Sequence, residues 1–210
     1  MRLVLASASP RRAELRRAAG FTFDIVAVEI NERVRDGESP SDYVRRLAAE
    51  KSAAAWAAVT SSVRLKPDAT PDATPDATPD ATADLIVLGA DTAVVVDGEV
   101  LGKPRDDRDA AAMLRRLSGR RHEVMTGVSL RSQSAERGLV ETTGVYMVTL
   151  RGEDVAWYVA SGEGRDKAGA YGIQGLASRF IPRIDGSYAN VVGLPVANVA
   201  LLLSELASAW

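Results

Sequence analysis

The chain has 210 residues, 46% of them hydrophobic and 26% charged, with a formal net charge of −2. That balance suits one soluble globular domain with a sizeable core. It supplies no global field to hold nucleic acid or an anionic membrane, so any anion must be bound locally. Cysteine is absent and His122 is the lone histidine, which excludes disulfides, thiolate metal sites, a cysteine nucleophile and a multi-histidine zinc site within one chain.

In chain order, residues 2–6 (RLVLA) form an apolar run bounded by Ser-Ala-Ser-Pro, the pattern of a buried strand. The run is too short for a signal-peptide core or a membrane span, so the expected compartment is the cytoplasm. Ser9 is placed to cap a helix that has Pro10 at its first position and ends before Gly20. A second helix is expected after Ser39, with Pro40 first, through the alanine-rich DYVRRLAAEKSAAAWAA. Residues 85–96 (LIVLGADTAVVV) read as a buried strand interrupted at Gly89–Thr92, and Asp97-Gly98 reads as a hairpin turn that tolerates positive φ. Then follow a helix at about 106–118 closed by Gly119 and β-prone stretches at about 122–131 and 139–150. A short helix at 152–161, a glycine-rich loop at 169–175 and a C-terminal helix at 195–208 complete the order. Alternating strands and helices with hairpins among them predict an α/β fold on a mixed sheet.

Residues 67–82 break the pattern, being four tandem copies of Pro-Asp-Ala-Thr. A four-residue period is too short for a solenoid, and the segment has almost no large apolar side chain to bury. Pro67, Pro71, Pro75 and Pro79 block helix propagation and donate nothing to a sheet. The segment reads as an extended, disordered insertion at about 62–83, and its deletion is expected to leave turnover nearly intact. A proline-rich recognition role is the alternative, against which the PxxP spacing is missing.

Four groups of residues carry candidate chemistry. At Ser7-Ala8-Ser9-Pro10-Arg11-Arg12 a strand delivers the chain to a helix start, where unpaired N–H groups, the helix dipole, two hydroxyls and two guanidiniums favour a phosphate. The plain alternative is a capping serine with solvated arginines, and Arg16 and Arg17 are assigned to the solvated face. Asp91, expected at the end of a buried strand, suits a magnesium ligand or a general base on water, or else a turn aspartate bonded to its own backbone. Glu32, Lys51 and Lys103 are single charges in unusual places, each also readable as a surface charge, and His122 reads as a satisfied structural histidine. In DKAGAYGIQG (166–175), three glycines permit close backbone approach, Lys167 offers a charge to phosphate, and Gln174 offers a donor and an acceptor to a base edge. Neither a Walker A loop nor GxGxxG occurs in the chain. Cations, two carboxylates and flexible loops form the inventory for positioning a polyphosphate, binding magnesium and activating water.

LASASPRR, YVRRLAAEKS, VLGADTAVVVDGEVLGKP, LSGRRHEVMTG and DKAGAYGIQG followed by GSYANVVGLP together resemble the Maf-like nucleotide pyrophosphatases, in the same order and over nearly the whole chain apart from the repeat. The resemblance implies a single domain over residues 1–210, with an elongated mixed sheet flanked by helices and two lobes around a cleft, akin to inosine triphosphate pyrophosphatases. It implies hydrolysis of a nucleoside triphosphate to monophosphate and pyrophosphate with a divalent cation: magnesium, manganese or cobalt. By carry-over Asp91 is the catalytic base and, with Glu32, the metal ligand; Ser7, Arg12, Lys51 and Lys103 bind phosphate, to which the residue reading above adds Lys167. Arg11, Thr92 and Gln174 stand at the specificity positions in the combination associated with the dTTP/UTP branch. The resemblance is also compatible with a homodimer. The competing expectations are a 7-methylguanosine triphosphate-type enzyme and a non-enzymatic nucleotide-sensing regulator of cell division. Asn31 departs from the family in standing where an acidic residue is common, and the repeat lengthens the path from Lys51 to Asp91.

Overall fold

In the computed structural model, which describes residues 2–64, 82 and 84–208, the first apolar run forms strand β1 (Arg2–Ala6), buried from Leu3 onward. Helix α1 (Pro10–Ala18) starts at Pro10, and Gly20 turns the chain out of it at a φ of 75°. Ser9 holds the N-cap backbone position without a side-chain cap; its own N–H donates to Ser7 Oγ at 3.2 Å. Arg16 corrects the expectation of a solvated face. It is buried and donates to the Phe23 carbonyl, because the chain leading to β2 (Asp24–Ile25) folds back beneath α1. Arg17 is exposed, as expected.

Helix α2 (Pro40–Arg64) is capped by Ser39, whose Oγ accepts from Asp42 N at 3.1 Å. The helix carries to Arg64, and the insertion expected at about 62–83 otherwise lies outside the described residues. Strand β3 (Leu85–Val96) runs for 12 residues without the expected break. The reason is β5 (Arg121–Arg131), which pairs with it from Val87 to Val95 and carries Gly89 and Asp91 through as ordinary strand positions. Asp97 and Gly98, at φ values of 54° and 76°, make the expected tight turn into β4 (Glu99–Leu101). Helix α3 (Asp107–Leu117) is capped by Asp106, which accepts from Asp109 N at 2.7 Å.

Strand β6 (Glu136–Tyr146) starts earlier and ends earlier than the β-prone stretch at 139–150, because it pairs residue for residue with β5 across a short turn closed by Ser132 N donating to Ala135 O. Helix α4 (Gly152–Ala160), strand β7 (Arg183–Asp185), helix α5 (Tyr188–Val192) and helix α6 (Val196–Ser208) complete the chain. The glycine-rich loop holds a short 3-10 turn at Ala168–Ala170.

The seven strands form one mixed sheet in the order β2-β1-β3-β5-β6-β7, with β4 also on β3. Strand β1 runs parallel to β3 against Leu85–Gly89, and β4 pairs antiparallel with Val94–Val96. Since β5 occupies the opposite edge of β3 throughout, β1 and β4 share one edge and leave the stretch 90–93 between them without a strand neighbour. One face of the sheet packs on α2, through Val44, Leu47, Ala55 and Val59 against Val4, Val87, Ala93 and Val95. The other face packs on α6 near β1 and on α3 and α4 near β4. Among the described residues no helix is long and apolar enough to cross a membrane.

Candidate active site

Asp91 sits in the middle of β3, not at its end as expected, inside the edge gap between β1 and β4. Strand alternation puts Asp91 on the same face as Gly89. That face meets α2 at very close range: a Cβ on Gly89 would lie 2.1 Å from the Ala48 carbonyl and 2.7 Å from Ser52 N. Lys51 lies between those two helix positions and points at the gap. Its Nζ stands 2.6 Å from Asp91 Oδ1 and 2.7 Å from Glu32 Oε1, the latter from the loop after β2. Lys51 and Asp91 are both buried, whereas the Glu32 side chain is half exposed. Tyr43, also on α2, donates its hydroxyl to the Glu32 carbonyl at 3.0 Å and so fixes that loop.

The start of α1 reaches the gap because β1 leaves the edge of β3 at Gly89. The buried guanidinium of Arg12 donates from Nε to Gly193 O at 2.7 Å, from Nη1 to Ser7 Oγ at 3.2 Å, and from Nη2 to Thr92 Oγ1 at 3.0 Å. Thr92 is braced in turn by Thr126, with 2.9 Å between hydroxyl oxygens. Among the described residues the hydrogen-bond partners of Arg12 are neutral oxygens, so its charge faces the cleft without a carboxylate from them bonded to it.

These groups line a cleft of about 410 Å³, within the range of small-molecule sites. Of the residues expected from the sequence, Ser7, Arg11, Arg12, Glu32, Lys51, Asp91, Thr92 and Lys103 line it together. Lys167 and Gln174 do not. Lys167 donates to the Glu163 carbonyl and to Asp166 Oδ1, and Gln174 is exposed on the loop beyond. Sequence reasoning missed Tyr43, Asp166, Tyr171 and Gly193, all of which line the cleft. Asp166 closes across its mouth onto Arg11 at 3.3 Å. Its neighbour Lys167 carried the only visible signal, and nothing local marks Gly193 as the carbonyl that aims Arg12. His122 lies outside the lining: Tyr171 OH and His122 Nε2 are 2.7 Å apart, while Nδ1 is buried without a partner, so the histidine is structural but only half satisfied.

Burial pushes the Asp91 carboxyl above the usual aspartate value, outweighing Lys51 and Arg12, which pull it down. Burial acts the same way on Glu32. There the Lys51 hydrogen bond and the charges of Lys51, Lys103 and Arg12 prevail, and its pKa is lowered. The two carboxylates share one ammonium yet move in opposite directions because Asp91 is the deeper of the two. Burial, reinforced by the charges of Asp91 and Glu32, pushes the Tyr43 phenol up to about 12, so it stays a neutral donor. A carboxylate with raised basicity beside several fixed cations can take a proton from water while anionic oxygens are held nearby.

The donor set also bears on a divalent cation. Among the described residues no cluster of three or more His, Cys, Asp or Glu could enclose a metal ion. Glu32 and Asp91 nonetheless converge on a single point, the ammonium of Lys51. Two hard carboxylates completed by substrate phosphate oxygens form the usual environment for magnesium, so these residues fit the group.

The family described as Maf-like protein matches residues 2–206 of the chain. A dTTP/UTP pyrophosphatase of Shewanella oneidensis is 48% identical over 210 residues, covering 98% of each chain. A dTTP/UTP pyrophosphatase of Anaeromyxobacter dehalogenans is 46% identical, covering 96% of this chain and 92% of its own. One from Hahella chejuensis is 45% identical, covering 97% and 92%.

Proposed function

The chain belongs to the Maf-like protein family, and from that premise we propose that its cleft hydrolyses dTTP and UTP to the nucleoside monophosphate and pyrophosphate. The observation that carries the reading is the meeting of a basic helix start, a helix lysine and a buried strand aspartate in one cleft: Arg12, Lys51 and Asp91. In this reading Arg12, Lys51 and Lys103 neutralise the triphosphate, and Ser7 adds a hydroxyl donor. Asp91 accepts a proton from water as the water attacks the α-phosphorus in line with the departing pyrophosphate. Glu32 and Asp91 would hold the divalent cation, whose chemistry when bound is to neutralise charge on the phosphates and make water more acidic. We infer a cytoplasmic site of work, where a nucleoside triphosphate substrate is available.

We assign base selection to Arg11, Thr92 and Gln174. Gln174 suits the mixed donor and acceptor edge of uracil or thymine, whereas a glutamate suits the donor-rich edge of guanine. Because Gln174 stands outside the cleft lining, its part depends on the base extending past the cleft mouth; Lys167, on the same loop, would act on phosphate only after leaving Asp166.

The test is a panel of canonical and modified triphosphates, each with magnesium, manganese and cobalt, scored for pyrophosphate and orthophosphate separately. The expected result is pyrophosphate from dTTP and UTP in preference to the other nucleotides. A preference for 7-methylguanosine triphosphate, or orthophosphate as the first product, would overturn the assignment.

A further inference from the structure

The cations of the cleft are held in two different ways. Arg12 is locked by three donors onto fixed neutral oxygens of Gly193, Ser7 and Thr92. Lys51 makes its two close contacts with carboxylates alone, 2.6 Å from Asp91 and 2.7 Å from Glu32. An ammonium is a compact point charge on a flexible four-carbon stem and can change partners by rotating that stem, which a forked guanidinium fixed at three points cannot do. Its position also matters. A hard divalent ion takes carboxylate oxygens at about 2.0–2.6 Å, and the Lys51 nitrogen sits close to that distance from both carboxylates. The ammonium stands where their shared ligand would stand.

We propose that Lys51 is a removable counter-cation, holding Glu32 and Asp91 together and keeping them from collecting a divalent ion until a triphosphate draws its ammonium onto phosphate oxygens. The inference rests on the nucleotide-hydrolysing reading above. The charge inventory of the cleft supports the order of events. Arg11, Arg12, Lys51 and Lys103 face Glu32, Asp91 and Asp166, so the cleft wall is already slightly cationic before any ligand arrives. A bare divalent cation gains little there. A polyanion gains a good deal, and by recruiting Lys51 it uncovers the two carboxylates in the same step. Cation and nucleotide therefore bind together, and the cation has weak affinity for the free protein. Transferring Lys51 makes and breaks only ionic hydrogen bonds, so no proton or co-reactant is needed. Lys51 thus has two posts: with the carboxylates in the free protein and with the phosphates in the loaded one.

The experiment measures binding of Mn²⁺ alone to the full chain, by the paramagnetic resonance of free Mn²⁺ or by calorimetry, with no nucleotide present. Lys51→Met should bind Mn²⁺ about tenfold or more tighter than the wild type, the order expected when a like charge is removed from a partly desolvated site. Adding Glu32→Gln to Lys51→Met should cancel the gain, which shows that it arises at the carboxylate pair. Equal Mn²⁺ affinity in wild type and Lys51→Met would overturn the proposal, as would a gain that survives Glu32→Gln. Folding of each variant is read from circular dichroism, with Lys51→Gln as a polar substitute. A further reading needs no variant: Mn²⁺ alone at roughly 1 mM should leave the wild-type Tm in place, and a rise of several degrees would count against the idea. Metal binding is scored apart from turnover. A wild type that fails to release pyrophosphate from dTTP or UTP therefore breaks the functional reading, whereas unchanged Mn²⁺ affinity in an active enzyme breaks only the role given to Lys51.

Discussion

Replacing Gly89 by alanine tests how the close approach of α2 to β3 sets the site. The added Cβ would stand 2.1 Å from the Ala48 carbonyl oxygen, where ordinary contact begins at 3.4 Å, so α2 must recede by about 1.3 Å. Both obstructing atoms, Ala48 O and Ser52 N, belong to helix backbone and cannot rotate aside. Overpacking of this kind costs about 1–3 kcal/mol of stability. Activity should suffer more, because Lys51 lies between Ala48 and Ser52 and is carried with the helix away from the cleft in which it must meet the phosphates. A misplacement near 1 Å in a catalytic constellation costs roughly 10²-fold in turnover. Urea denaturation gives the first quantity, and pyrophosphate release from dTTP, at a temperature where the variant is fully folded, gives the second. Gly152→Ala is the control: its Cβ meets nothing within 4 Å at the start of α4, so activity and stability should hold. Wild-type turnover in a folded Gly89→Ala protein would refute the reasoning, since α2 would then be free to shift without disturbing the site.

Asp91→Asn should lower kcat by about 10²–10⁴-fold, the usual range for a lost general base, while equilibrium binding of dTTP persists. A nucleotide sensor without catalysis would have no turnover to lose. Arg12→Lys cannot reproduce the fork onto Gly193, Ser7 and Thr92, and the cation it leaves misplaced by about 1 Å should lower kcat/KM by about 10²-fold. An unchanged kcat/KM would show that the fork is dispensable. Burial, aided by the charge of Arg121, pulls His122 down to about 4 from an ordinary 6.5. As pH falls, the unfolded chain therefore takes up this proton first; the stability from His122 is whole above 6.5 and drains away toward pH 4. Chemical denaturation across that window should show the wild type losing about 3 kcal/mol more than His122→Gln, and parallel curves would contradict the burial argument.

Residues whose task is local were legible before the structure. Pro10 and Pro40 opened their helices, Asp97-Gly98 made its turn, and RLVLA formed its strand, since each depends on φ restriction or on a short apolar run. Three of the residues that meet in the cleft were legible too, because Asp91, Lys51 and Arg12 are charged residues set in apolar or helical surroundings. What escaped depends on long-range pairing. Gly89 looked like a strand breaker, yet in the fold it is the position where a helix backbone crosses, and β5 holds the strand straight through it. Arg16 looked solvated until the return of the chain toward β2 covered it. The carbonyl that aims Arg12 lies 181 residues away in sequence, at Gly193, beyond the reach of any local pattern. Gln174 and Lys167 sit on the glycine-rich loop outside the cleft lining, and composition alone could not have placed that loop relative to the cleft.

Hydrolysis of dTTP in oxygen-18 water tests the central claim most directly. If water activated by Asp91 attacks the α-phosphorus, one labelled oxygen appears in the thymidine monophosphate and the pyrophosphate is unlabelled. Label in the pyrophosphate, or release of labelled orthophosphate, would mean that the cleft holds a different phosphorus in line with the water.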